Sequence, residues 1–226
     1  MILLVEKIVR IIDKNKWWDE GIEIIGSWCF YFYQECLGLE SYPLRTQDID
    51  FLVPNRIKNT SNIDLIEEIE KLGFRHSFNR DGSIYLWNSE LKIEFITPDR
   101  GRGTDKAIAI KNSTIRAIPL RFVDLLLENP VRVKYKKIHI LLPSPENFLF
   151  HKLLISDRRK EVEKREKDFI QAIYTYSITD NKKLSSVYDN LPKPWQKKIV
   201  KVLKEGKERF VLVENEIEEI LNTLQK

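Results

Sequence analysis

Apolar residues recur at helical spacing from the start of the chain. Leu4, Ile8, Ile11 and Ile12 predict an amphipathic helix over residues 2–17. Trp17 and Trp18 then run into a turn at Gly21, and Ile22-Glu23-Ile24-Ile25 reads as the first strand. Gly26-Ser27 turns the chain into a helix over residues 28–37 that stops near Gly38. The period then changes to two, with Ile49 and Phe51 facing a core and Asp48 and Asp50 facing away from it. Ile63, Ile66, Ile69 and Leu72 return to helical spacing, with Gly73 as the stop. Residues 75–79 and 84–87 flank Arg80-Asp81-Gly82-Ser83, a hairpin signal with Asp-Gly at its turn. Residues 91–96 alternate as a half-buried strand that ends at Pro98. Further strands are predicted over 115–119 and 131–142, around a short helix at 121–128. Beyond Pro143-Ser144-Pro145 the pattern is helical over 148–155, 165–175, 194–204 and 214–224. The fold class expected is α+β: a mixed β-sheet domain over residues 1–143, then a helical C-terminal region over residues 144–226.

Asp48 and Asp50 carry the strongest chemical signal. Two residues apart on a strand, their backbones stand roughly 6.5 Å apart with both carboxylates on one face. Each would push the other's pKa upward unless a cation neutralised them. Mg²⁺ ions with carboxylate oxygen ligands meet that need and create a site for phosphoryl transfer. Glu94 sits on the alternating strand, where a sheet can bring it beside the pair as a third acid. Gly26-Ser27 before a helix adds a phosphate signal. Glycine lets the backbone approach a ligand, and the unpaired N–H groups of the first helical turn favour an anion. Ser27 is equally suited to cap that helix. Lys152, on an otherwise apolar helix, calls for an anionic partner that a triphosphate could provide, or for a stem laid along the surface.

These residues, in this order, resemble the nucleotidyltransferase superfamily with the DNA polymerase β-like fold. The resemblance covers roughly residues 20 to 175. It rests on Gly26-Ser27, on Arg45-Thr46-Gln47-Asp48-Ile49-Asp50-Phe51-Leu52-Val53-Pro54, and on Ile93-Glu94-Phe95 with Gly101-Arg102-Gly103 behind it. Pro143-Ser144-Pro145, His151-Lys152-Leu153-Leu154, Arg158-Arg159 and Lys167-Asp168 extend it toward bacterial and archaeal nucleotidyltransferase-like proteins related to abortive-infection type toxins. It implies that Asp48, Asp50 and Glu94 are catalytic and hold two Mg²⁺ ions. Gly26, Ser27, Arg45 and Lys152 would contact the NTP. The implied reaction transfers a nucleoside monophosphate to an acceptor such as RNA, tRNA or a protein, with release of pyrophosphate. The rival reading is a catalytically silent nucleotide- or RNA-binding module of the same fold.

Composition narrows this picture in a few places. A chain of 226 residues with 42% hydrophobic and 11% aromatic residues can bury a core. Cys29 and Cys36, the two cysteines, form neither a disulfide framework nor a zinc-ligand set and read as reduced thiols. No apolar run approaches the ~20 residues that span a membrane. With Glu6 and Lys7 inside an amphipathic start, the pattern is unlike a signal peptide, and a cytoplasmic protein is expected. The formal net charge of +4 falls entirely within residues 151–226. That asymmetry would let basic C-terminal helices, with Lys197, Lys198, Lys201 and Lys204 among their residues, guide a polyanionic acceptor.

Overall fold

A computed structural model describes residues 1–40, 46–58, 63–99 and 103–225. The chain divides into two units, Met1–Cys36 with Ser41–Pro143, and Leu37–Glu40 with Ser144–Lys226.

The first unit opens with α1 (Ile2–Lys14), which buries Val5, Ile8, Val9 and Ile12. It ends earlier than its hydrophobic period suggests. Lys16 takes a left-handed φ of 59°, and a 3-10 turn over Trp17–Glu20 then buries both tryptophans. β1 (Glu23–Ile25) leads directly into α2 (Gly26–Leu37), followed by β2 (Asp48–Leu52). α3 (Leu65–Glu70) is shorter than its apolar spacing predicts. The Asp64 side chain accepts the N–H of Ile66 at 2.8 Å, which fixes the helix start and leaves Ile63 outside it. β3 (Arg75–Phe78) and β4 (Ile84–Trp87) form the expected hairpin, followed by β5 (Lys92–Pro98). β6 (Ile108–Ala109), too short to show a pattern, pairs with β7 (Arg116–Leu120). A 3-10 turn over Val123–Leu127 then precedes β8 (Val131–Tyr135) and β9 (Ile138–Leu142), which pair as a separate hairpin.

Among the described residues, seven strands build one mixed sheet with the order β1-β2-β5-β4-β3, and β7 joins β5 beyond β4. β2 and β5 run parallel, with Ile49 opposite Ile93 and Phe51 opposite Phe95. These four side chains are buried on one face, where the two phenyl rings stack 6.3 Å apart. The other face changes character along its length. Ile25, Leu52 and Ile96 cluster at one end with Val123 and Leu126, and the acids lie at the other end. Glu23, opposite Leu52, is the exception at the apolar end. It is 1% exposed, and one of its carboxyl oxygens has no hydrogen-bond partner among the described residues.

In the second unit, α4 (Pro145–Ser156) is capped by Ser144, and α5 (Val162–Thr175) follows. α6 (Asn181–Asn190) went unread in the sequence because Leu184 is its one buried side chain. The Asp180 carboxylate starts it by accepting from Lys182 and Lys183 N–H groups. α7 (Lys193–Arg209) and α8 (Glu214–Thr223) complete the unit. On α7, Gly206 lets the Phe169 ring lie against the helix backbone, where a β-carbon would overlap it. That ring stacks on Phe210 at 5.0 Å. These elements form the α+β fold expected, a mixed sheet followed by helices.

Burial raises the Glu23 pKa from 4.5 to about 8. The folded protein therefore holds a proton that the unfolded chain releases above pH 4.5. The stability linked to that proton is complete below pH 4.5 and is lost as pH rises through about 8. Glu23→Gln should leave the melting temperature unchanged at pH 4 and raise it increasingly up to pH 8.5. Parallel melting curves for the two proteins across that range would show that Glu23 is ionised in the fold.

Candidate nucleotide and metal site

The parallel pairing of β2 with β5 decides which side chains meet. Asp50 stands opposite Glu94 and Asp48 opposite Lys92, so all four share the open end of one sheet face. On the other side of β5, Tyr85 lies opposite Glu94 and Trp87 opposite Lys92, continuing the same face. Asp48 is exposed, while Asp50 and Glu94 are half-buried. The Thr46 hydroxyl accepts the N–H of Asp48 at 3.2 Å and holds the entry to β2.

Gly26 and Ser27 begin α2 directly after β1, where Ile25 is opposite Asp50. Gly26 has φ +69°, and its missing side chain is occupied by the Asp50 carboxylate, which a β-carbon would overlap. A residue with a side chain would strain the backbone and displace the acid. The glycine therefore belongs to the acidic site as well as to the turn. Ser27 is half-buried in the first turn of α2.

Lys92 completes the constellation. Its Nζ donates to Glu94 Oε1 at 2.6 Å and lies 4.8 Å from the centre of the Tyr85 ring. Burial disfavours the ammonium, but the bonded Glu94 and nearby Asp48 outweigh it and hold the pKa above the ordinary lysine value. The sequence held the signal for this contact, because Lys92 is two residues from Glu94 on a strand.

The three acids offer hard oxygen donors, which suit Mg²⁺. Among the described residues, no three His, Cys, Asp or Glu side chains stand converged as a metal-ligand group. Glu94 is bonded to Lys92 instead. Arg45 lies outside the described residues, as do Gly101 and Arg102 of the loop after β5.

Lys152 is placed differently from the phosphate contact that its sequence context suggested. Within the second unit it is buried and donates from Nζ to Asp168 Oδ1 at 2.6 Å, while Arg159 Nε donates to Asp168 Oδ2 at 2.8 Å. Burial works against the Asp168 carboxylate, but these two cations hold its pKa below the ordinary value. His151 is fully enclosed. Burial and the neighbouring Lys152 bring its pKa down to about 3, so the ring is neutral. Several basic side chains of this unit are paired with acids. Lys198 pairs with Asp157 at 2.9 Å, Lys201 with Glu205 at 3.6 Å and Arg209 with Glu166 at 2.8 Å.

A family model described as nucleotidyltransferase matches residues 4–196, which include every acid of the site and both residues of the glycine turn. The chain belongs to the nucleotidyltransferase family. No curated protein matches it. Among solved structures, this nucleotidyltransferase-family chain is similar to an antigenic nucleotidyltransferase-like protein from Paracoccidioides brasiliensis, with a TM-score of 0.54. The two are 14% identical over 95% of this chain and 92% of the other, a likeness of fold. ANT(2″)-Ia in complex with adenylyl-2″-tobramycin aligns at a TM-score of 0.45 and 12% identity, over 82% of this chain and 93% of that one.

The Lys152–Asp168 pair gives a test of the helical unit. Lys152→Met should cost about 3 kcal/mol, read by chemical denaturation, because it leaves a buried carboxylate with one cation fewer. The double variant Lys152→Met/Asp168→Asn should recover part of that loss. A Lys152→Met protein of native stability with lost nucleotide binding would return Lys152 to the phosphates.

Proposed function

We propose that this protein transfers a nucleoside monophosphate from an NTP to an acceptor hydroxyl and releases pyrophosphate. The observation that carries the reading is the in-register pairing of Asp50 with Glu94, which puts Asp48, Asp50 and Glu94 on one open sheet face beside Gly26. The family match supports the donor half of the reaction.

Asp48, Asp50 and Glu94 would hold the divalent cation, Mg²⁺ in this reading. Such an ion lowers the pKa of an acceptor hydroxyl and offsets charge on the triphosphate and the departing pyrophosphate. The chain's own part is positioning. Gly26 lets the phosphates approach the backbone, and the N–H groups of the first turn of α2, with the Ser27 hydroxyl, orient them. Asp50 is fixed by its seat on Gly26, and Glu94 by β5. The bond from acceptor oxygen to α-phosphorus forms as the bridging bond to the β-phosphorus breaks, and pyrophosphate leaves with the electron pair. Lys152 already has Asp168 as its anion, so the nucleotide contacts proposed here are Gly26 and Ser27.

One observation favours the catalytically silent alternative, namely that Glu94 is bonded to Lys92. Activity decides between them. Incubation with α-labelled NTP, Mg²⁺ and separate pools of RNA, protein and small hydroxyl compounds should label one acceptor class and release pyrophosphate. Asp50→Asn should reduce that transfer by about 100-fold or more, a size typical of losing one preorganised electrostatic group. Its metal-free melting temperature should stay equal or rise, because one like charge has been removed. Unfolding of Asp50→Asn, or turnover at the native rate, would overturn the assignment.

Gly26→Ala separates the turn from the fold. A left-handed alanine costs roughly 1–2 kcal/mol, and the β-carbon must also displace the Asp50 carboxylate. Transfer should therefore fall much further than stability does, as measured by kcat/KM beside a melting curve.

A further inference from the structure

The open sheet face continues past the acids onto β4 and β3. Asp48 is opposite Lys92, Lys92 opposite Trp87, and Trp87 opposite Arg75, so these four form one row across the strands. Asp50, Glu94, Tyr85 and Ser77 form the neighbouring row. The alternate residues of β4, Ile84 and Leu86, are buried on the core face. In the strand order, β1 and the glycine turn that follows it flank the acids on one side, and β4 and β3 flank them on the other. The second flank is therefore open to a molecule other than the triphosphate.

The two rings of this flank are engaged differently. Lys92 Nζ lies 4.8 Å from the centre of the Tyr85 ring and donates to Glu94 at 2.6 Å. The lysine is thereby drawn along β5 toward Glu94 and Tyr85, and not across to Trp87. Trp87 remains 44% exposed, and Arg75 opposite it is exposed as well. Among the described residues, no hydrogen bond, ion pair or ring contact engages either side chain.

An exposed indole offers a flat π surface, and the guanidinium beside it offers donors only. A nucleobase suits both, with a π-face for stacking and a rim of carbonyl and ring-nitrogen acceptors. A sugar ring alone has no π-face to give the indole. Adjacent strands stand about 4.8 Å apart. A base over Trp87 on β4 therefore carries its ribose over β5, beside Glu94.

We propose that Trp87 and Arg75 form the acceptor subsite and that the acceptor is a nucleoside, free or at the end of an RNA strand. The base stacks on Trp87, Arg75 donates to its rim, and a ribose hydroxyl enters the acidic site. The ribose oxygen bonds to the α-phosphorus, its proton passes to solvent, and pyrophosphate leaves with the electron pair of the broken bond. The inference rests on the nucleotidyl-transfer reading and names its acceptor.

The probes are the four ribonucleosides, a short mixed-sequence oligoribonucleotide, and methyl riboside, which lacks a base. Transfer from α-labelled NTP with Mg²⁺ gives separate KM values for acceptor and NTP, and equilibrium dialysis of each labelled probe gives affinity without turnover. Trp87→Ala should raise the acceptor KM and dissociation constant about 10-fold, as expected for one lost stacked base, with the NTP KM unchanged. Trp87→Phe should recover most of the loss. Binding of nucleosides identifies the free form as acceptor, and binding of the oligoribonucleotide alone identifies the strand end. If melting shows that Trp87→Ala does not fold, Arg75→Gln at an exposed position carries the same two readouts. Native acceptor KM and affinity in the variant, a rise in the NTP KM instead, no binding of either base-bearing probe, or methyl riboside accepted as well as the nucleosides overturns the subsite. Native transfer to another acceptor then leaves the nucleotidyl-transfer reading standing. No transfer by the native protein to any acceptor overturns both.

Discussion

Asp48, Asp50 and Glu94 share one face of two adjacent strands, and the repulsion among them is the condition that the first unit has to satisfy. The hydrogen-bonded register between β2 and β5 fixes their positions, so they cannot separate without breaking the centre of the sheet. A one-residue slip of β2 would turn Asp48 and Asp50 toward Ile93 and Phe95 and bring Ile49 and Phe51 out to the open face. The core on one face therefore enforces the charge crowding on the other. Lys92 relieves part of it through Glu94, and the exposure of Asp48 to water relieves more.

The second unit meets a related problem with a different solution. Asp168 is buried, and Lys152 and Arg159 both donate to it, so a carboxylate in the interior is fully compensated from within the unit. Two cations meet one carboxylate there, so Lys152, Arg159 and Asp168 together carry a net charge of +1. On the sheet face Lys92 pairs with Glu94, and Asp48 is exposed to water.

Strand periodicity alone specifies much of the candidate site. The two-residue spacing of Asp48 and Asp50 specified a shared face, and the alternation around Glu94 specified a strand that could join them. The sequence could not give the parallel register that sets Asp50 opposite Glu94, because pairing between distant strands depends on the whole sheet. Lys92 was legible by the same rule that found Glu94. Elements with few apolar positions were harder to see, as with α6 and its single buried leucine, or the two-residue β6. Helix limits were displaced where a side chain cap or a left-handed residue, such as Asp64 or Lys16, cut across the hydrophobic period.

Gly26 shows how closely fold and chemistry are joined here. A turn from strand to helix can be made by several residue types at modest strain, yet this one has no space for a β-carbon, because the Asp50 carboxylate fills it. The acid is held against the backbone of the helix start, where N–H groups point outward and favour negative charge. In the proposed function, a turn that would take an anion and an acid that would take a cation thus lie in contact. The electrostatic preference of one is the opposite of the other, and a metal nucleotide carries both charges in one ligand. In that proposal, the two neighbouring features of opposite sign match the two charges of such a ligand.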